Sequence, residues 1–241
     1  MTSRGRDALP SIVTLGGMLM AFASLSLTQQ GRYEAAAWLL FAAGWADIAD
    51  GAIARALGAA TPFGRQLDSL ADLVIAGVAP AFLVYEVFFS SWGFAGVVMA
   101  WSWAAFVAAR LARFNSTEST DRFHFVGVPC PMAAVVVCQY LVFSRATWGD
   151  DGSAWVCAGI IVVLGGLMLS HVPYWTSATL MPRQFFHHSF GPGLVTSILL
   201  VIPFPGQAIF VGAAFSIVAA VALHLARRVA RPRTLAPRVA A

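Results

Sequence analysis

The sequence predicts an all-α, polytopic integral membrane protein of about eight transmembrane helices. Of its 241 residues, 59% are hydrophobic and only 11% are charged, whereas an ordinary soluble domain carries about 25% charged residues. The mean hydropathy is +0.76. The apolar residues also come in runs of membrane-spanning length, and at roughly 20 residues per span the chain has room for about eight, with connections. No polar stretch is left over for a separate soluble domain.

The first run, 9–28, follows a short N-terminus carrying Arg4, Arg6 and Asp7. No small-residue cleavage site precedes a polar region, so this run is expected to be a retained span and not a removable leader. The second and third, 33–56 and 67–89, flank a short polar turn, and the fourth, 93–113, ends in Ala109-Arg110-Leu-Ala-Arg113-Phe114-Asn115. The fifth, 130–147, is opened by Phe125-Val-Gly127-Val-Pro129-Cys-Pro131, and a sixth follows at 154–173. The seventh, 189–204, is short and bounded by Gly191-Pro192-Gly193 and Pro203-Phe204-Pro205-Gly206; the eighth is 206–226. Residues 1–226 thus form one transmembrane domain, and 227–241, basic and proline-containing, form a disordered tail.

All fifteen basic residues are arginine, and they test the topology. With the N-terminus in the cytoplasm, Arg4, Arg6, Arg55, Arg65, Arg110, Arg113, Arg122, Arg183 and the tail arginines fall inside. Only Arg32 and Arg145 fall outside. This positive-inside bias favours both termini in the cytoplasm of a cell that carries the protein in its plasma or inner membrane. Cys130, Cys138 and Cys157 have unrelated spacings and read as small buried hydrophobes.

Four aspartates break the apolar pattern, in Asp47-Ile-Ala-Asp50-Gly51-Ala-Ile-Ala54-Arg55 and Gly64-Arg-Gln-Leu-Asp68-Ser-Leu-Ala-Asp72. A carboxylate in a membrane segment costs about 2.5 kcal/mol or more. Asp47 and Asp50 are three apart and Asp68 and Asp72 four apart, so each pair shares a helix face. Four carboxylates without nearby histidine or cysteine favour Mg2+, Mn2+ or Ca2+ over zinc, and they suffice for two such ions, expected to be Mg2+ or Mn2+. Two such ions clamp the attacking and leaving oxygens at phosphorus. Gly51 and Gly64 remove side chains where a ligand approaches the backbone. Arg55 adds a phosphate-binding fork, and Thr61 lies in the turn between the helices. A cation transporter gains nothing from an arginine beside its ligands, which favours an enzyme.

The pattern D-x2-D-G-x2-A-R-x8-G-x3-D-x3-D resembles the signature of the CDP-alcohol phosphatidyltransferases, matched at every defined position from Asp47 to Asp72. The resemblance implies a six-helix core, here followed by two further helices, and a homodimer. It also implies metal-dependent attack of an alcohol on the β-phosphorus of a CDP-linked lipid, with release of CMP. By this likeness Asp47, Asp50 and Asp68 are metal ligands, and Asp72 is a ligand or the general base. Asp47, Gly51, Arg55, Thr61 and Gly64 correspond to positions around the CDP-lipid. The catalytic domain is then 1–226.

The acceptor is chosen outside this motif. Arg110 and Arg113 share a face and present two forks to an anion, and Asn115 adds a donor and an acceptor. A zwitterionic amino alcohol such as L-serine fits that set. The stretches Leu67–Val74, Gly77-Val-Ala-Pro80-Ala, Arg110–Asn115 and Phe-x-Gly-x-Pro-x-Pro look like the membrane-embedded phosphatidylserine synthases. Two positions depart from them: Pro10-Ser11 stands for the usual Pro-Asn, and Ile75-Ala76-Gly77 for Ser-Phe-Gly. Inositol phosphate, glycerol phosphate and choline remain alternative acceptors. Glu86, some 21 Å beyond Asp72 along one helix at about 1.5 Å per residue, belongs to the opposite membrane face. The tryptophans, among them Trp92, Trp101, Trp103, Trp148 and Trp155, suit an interfacial belt. His124, His187 and His188 fall in loops.

Overall fold

Seven helices account for nearly all of the described residues. The computed structural model describes the backbone of residues 3–57, 61–116, 125–170, 173–174 and 205–230. Side chains are described for 11–47, 61–116, 127–170 and 206–222 apart from 220. The helices are α1 (Ser3–Gln29), α2 (Tyr33–Leu57), α3 (Pro62–Trp92), α4 (Phe94–Ser116), α5 (Cys130–Trp148), α6 (Ala154–Leu169) and α7 (Pro205–Ala230).

The expectation of eight spans is overturned. Among the described residues four helices are long and apolar enough to cross a membrane: Ser11–Gln29, Pro62–Trp92, Phe94–Ser116 and Cys130–Trp148. The physical reason is that an apolar run is not yet a continuous helix. The run 154–173 yields only the 16 residues of α6, about 24 Å at 1.5 Å per residue against a hydrocarbon core of about 30 Å. Ser170 turns extended, and Pro173–Tyr174 (β2) pairs antiparallel with Phe125–Val126 (β1) in place of a last helical turn. The runs 33–56 and 206–226 do become α2 and α7, whose side chains are described only as far as Asp47 and from Gly206 to Ala222. The expected span 189–204 lies outside the described residues, as do 231–241 of the basic tail, whose first residues continue α7 to Ala230.

The α1–α2 hairpin closes on Gly31. Its φ of +72° lets Arg32 N–H donate to the Leu27 carbonyl at 2.9 Å, while Gly31 N–H reaches the Thr28 carbonyl at 3.0 Å, which fills carbonyls left open at the helix end. Ala21, Ala36, Ala37 and Ala43 are fully buried and let the two helices pack closely. The outward face of α1 exposes Ile12, Leu15, Leu19 and Phe22.

Helix α4 is the hub of the bundle, packed on both α3 and α6. Trp103 and Val107 are fully buried on it, and its Phe106 ring fills the space left by Gly165 of α6. The largest fully buried side chains, Trp103, Phe89, Leu83, Leu141, Ile161 and Met168, come from α3 to α6, so the core sits there. Helix α7 packs on α5.

Candidate active site

Helix α3 begins five residues earlier than hydropathy alone suggests, and the aspartates owe their placement to that start. Thr61 is its N-cap: extended backbone, with the hydroxyl oxygen accepting from Gly64 N–H at 3.0 Å, followed by Pro62 in the first turn. That bond satisfies one of the orphan donors of the helix end, and Pro62 carries no N–H to strand there. A Cβ on Gly64 would stand 3.1 Å from the same hydroxyl oxygen. In the structure, therefore, Thr61 and Gly64 first serve each other, and the turn needs the glycine for the cap.

Asp47 from α2 and Asp72 from α3 line one narrow cavity of about 20 Å³. Oδ1 of each is buried from solvent. Leu40 and Gly44 continue the wall on α2, Ala76 and Pro80 on α3, and Cys138 and Gln139 on α5. Asp68 sits half-buried one turn before Asp72 and does not line this cavity. Asp50, Gly51 and Arg55 fall on the final turns of α2, but their side chains lie outside the described residues. Among the described residues no group of three or more carboxylate, histidine or cysteine side chains is gathered tightly enough to bind a metal. The pair that does converge, Asp47 and Asp72, offers only hard oxygen donors, the chemistry that fits Mg2+ or Mn2+.

Directly after Asp72 the helix widens. Residues Leu73–Val78 make i→i+5 turns, with Ala79 N–H donating to the Val74 carbonyl, and such turns are frequent at functional sites. Pro80 follows and brings no N–H to the carbonyls of the preceding turn. The indole N–H of Trp103 donates to one of them, that of Ala76, at 2.9 Å. Gly77 permits the approach of α4, since a Cβ there would stand 3.3 Å from Val107 Cγ1. Trp103 is fully buried and so does not belong to the interfacial belt. Trp92, Trp148 and Trp155 do sit at the helix ends remote from the aspartates.

The three residues expected around the acceptor are brought near the same end but face different neighbours. Arg110 is 9% exposed; one guanidinium nitrogen donates to Cys130 Sγ at 3.4 Å, and its Nε has no hydrogen-bond partner among the described residues. A buried guanidinium with an open donor is costly unless an anion completes it. Arg113 instead donates to the Leu169 carbonyl at 2.9 Å, at the end of α6, where a cation also complements the helix dipole. Asn115 Nδ2 donates to Ser69 Oγ at 3.0 Å, which ties α4 to the α3 turn between Asp68 and Asp72. The two arginines, three apart, thus divide between α5 and α6.

The Phe-x-Gly-x-Pro-x-Pro stretch is a folded connector. Val126 ends β1, Gly127 adopts φ +86°, and Pro129 is the extended residue before α5. Sequence reasoning missed two residues. Trp103 looked like one more belt tryptophan, although Pro80 four residues beyond Ala76 signals a carbonyl in need of a donor. Gln139 is fully buried on α5, donates weakly to the Ala37 carbonyl at 3.5 Å and reaches the cavity floor. A glutamine within an apolar run was its visible signal.

Comparison with known proteins agrees with this geometry. Residues 7–172 match the CDP-alcohol phosphatidyltransferase family. The chain is similar to the CDP-diacylglycerol–serine O-phosphatidyltransferase of Helicobacter pylori strain J99, 34% identical over 167 residues, covering 68% of this chain and 70% of that protein. It is similar to the enzyme of the same name from Bacillus subtilis, 32% identical over 127 residues, covering 53% and 71%. A third such relative, from Methanocaldococcus jannaschii, is 30% identical over 156 residues, covering 64% and 68%.

Proposed function

This chain belongs to the CDP-alcohol phosphatidyltransferase family, and from that premise we propose that it transfers the phosphatidyl group of CDP-diacylglycerol to the hydroxyl of L-serine, releasing CMP. The observation that carries the reading is the convergence of Asp47 and Asp72, from two helices, on one cavity in a chain that otherwise shuns charge. Asp47, Asp50, Asp68 and Asp72 are the residues that would hold two divalent ions, Mg2+ or Mn2+. Bound there, such ions supply charge neutralisation at the pyrophosphate.

The chain's own residues position the reactants and move the proton. Gly51, Arg55, Thr61 and Gly64 receive the CDP moiety at the α2–α3 turn. Asp72 accepts the serine hydroxyl proton as the serine oxygen bonds to the phosphorus that carries diacylglycerol. The bond from that phosphorus to the bridging oxygen breaks, and CMP leaves with the electron pair. The buried Arg110 guanidinium, with its open Nε, receives the serine carboxylate. Arg113 and Asn115 complete the acceptor pocket from α4.

The working form is a homodimer in the cell membrane, its aspartate mouth facing the cytoplasm. The arginines support that orientation: Arg65, Arg110 and Arg113 stand at the aspartate end of the bundle, Arg32 and Arg145 at the other. Purified protein given CDP-diacylglycerol, Mn2+ and a panel of alcohols tests the reading. CMP release with serine is expected. Release with inositol phosphate or glycerol phosphate in its place refutes the acceptor, and no release with any alcohol refutes the transferase.

A further inference from the structure

We propose that Trp103 is a positioning residue for Asp72, coupled to Pro80 through the Ala76 carbonyl; the inference rests on the transferase reading only for its kinetic arm. Three observations meet at one place. Residues Leu73–Val78, which begin at the residue after Asp72, make i→i+5 turns. Pro80 removes the N–H that a regular helix would return to Ala76. Trp103, fully buried on α4, donates to that carbonyl at 2.9 Å.

A wide turn gives up the regular i→i−4 ladder, so its register is not fixed by the helix alone. A slip of one residue rotates the helix by about 100° at 3.6 residues per turn. Asp72, Ala76 and Pro80 all line the cavity that Asp47 enters from α2. The indole bond therefore pins the wall at Ala76 and, through it, the direction in which Asp72 faces Asp47. Trp103 itself does not line that cavity, so it acts through the helix and not on a ligand.

The pairing with Pro80 makes the idea separable from a general packing role. Pro80→Ala restores an N–H at position 80, which reaches the Ala76 carbonyl once the segment closes to regular i→i+4 pairing and so gives it a second source of a donor. Trp103→Phe keeps an aromatic ring and removes only the indole N–H and part of the volume. Four proteins are compared: wild type, W103F, P80A and P80A/W103F. Each is titrated with Mn2+ without substrate, free Mn2+ being read by electron paramagnetic resonance, and each is assayed for CMP release.

W103F is expected to weaken Mn2+ binding and to lower kcat by about tenfold each, the scale of one unmade buried hydrogen bond, with KM for CDP-diacylglycerol unchanged. In the P80A background the same substitution is expected to cost about twofold or less. Equal losses in both backgrounds, or unchanged Mn2+ binding in W103F, would overturn the proposal. Should W103F not accumulate as folded protein, its recovery in P80A/W103F supports the coupling and its absence overturns it. A wild type that binds Mn2+ but releases no CMP refutes the transferase reading, while the Mn2+ comparison still decides this one.

Discussion

Gly127→Ala tests the connector between α4 and α5 with its own internal control. Gly127 has φ +86°, a conformation that costs an L-residue about 1–2 kcal/mol. A Cβ there would also overlap the Met168 carbonyl oxygen and stand 3.2 Å from its carbon. That obstacle is backbone at the end of α6, so it cannot swing aside as a side chain would, and overpacking of this kind adds about 1–3 kcal/mol. Gly31 has φ +72° with nothing within 4 Å of its Cβ position, so Gly31→Ala carries the conformational cost alone. We expect roughly 3 kcal/mol for G127A and about 1.5 kcal/mol for G31A. At about 2–4 °C per kcal/mol for a chain of this size, thermal unfolding in detergent should fall by about 6–12 °C and about 3–6 °C. Equal shifts for the two variants would refute the steric reading of Gly127.

Other outcomes follow from the same geometry. Thr61→Ala should lower stability by about 1 kcal/mol, the usual value of an N-cap, and Thr61→Ser should restore most of it; calorimetric melts of both variants check this. Asn115→Ala and Ser69→Ala each remove the same α4–α3 link, at about 0.5–1.5 kcal/mol. The double variant should therefore be no less stable than either single one, and full additivity would show that the bond in question does not form. Arg110→Lys keeps the charge but loses the planar fork; it should raise KM for serine while leaving KM for CDP-diacylglycerol unchanged in steady-state assays. A rise in both constants would remove Arg110 from the acceptor pocket.

Much of the fold was legible because membrane helices advertise themselves. The expected run 130–147 meets Cys130–Trp148 almost residue for residue, and Arg32 and Arg145 separate from the other described arginines along the bundle. The count of spans failed where hydropathy and helix continuity part. Around Ser170 the residues remain apolar on average, yet the chain turns extended there and pairs with Phe125–Val126. The aspartate spacing put each pair on one helix face, and in the structure Asp47 and Asp72, one from each pair, line one cavity. It could not show that Asp68 stays off the cavity wall, because side-chain direction depends on how α3 packs. The i→i+5 turns have no periodicity signature of their own; only Pro80 hinted at them. Arg110 and Arg113 share a face by spacing, but the face borders both α5 and α6, and each arginine takes a different neighbour.

In the proposed reaction Asp47 and Asp72 serve phosphatidyl transfer to serine. The most direct measurement follows CMP and phosphatidylserine together in purified protein supplied with CDP-diacylglycerol, serine and Mn2+, for the wild type and for Asp72→Asn. One phosphatidylserine per CMP is expected in the wild type, abolished by chelation. A loss of about 10²–10⁴-fold is expected in Asp72→Asn, the range spanned by removal of a general base. Phosphatidylserine formation by Asp72→Asn at the wild-type rate, or CMP release that does not need serine, would contradict the proposed reaction.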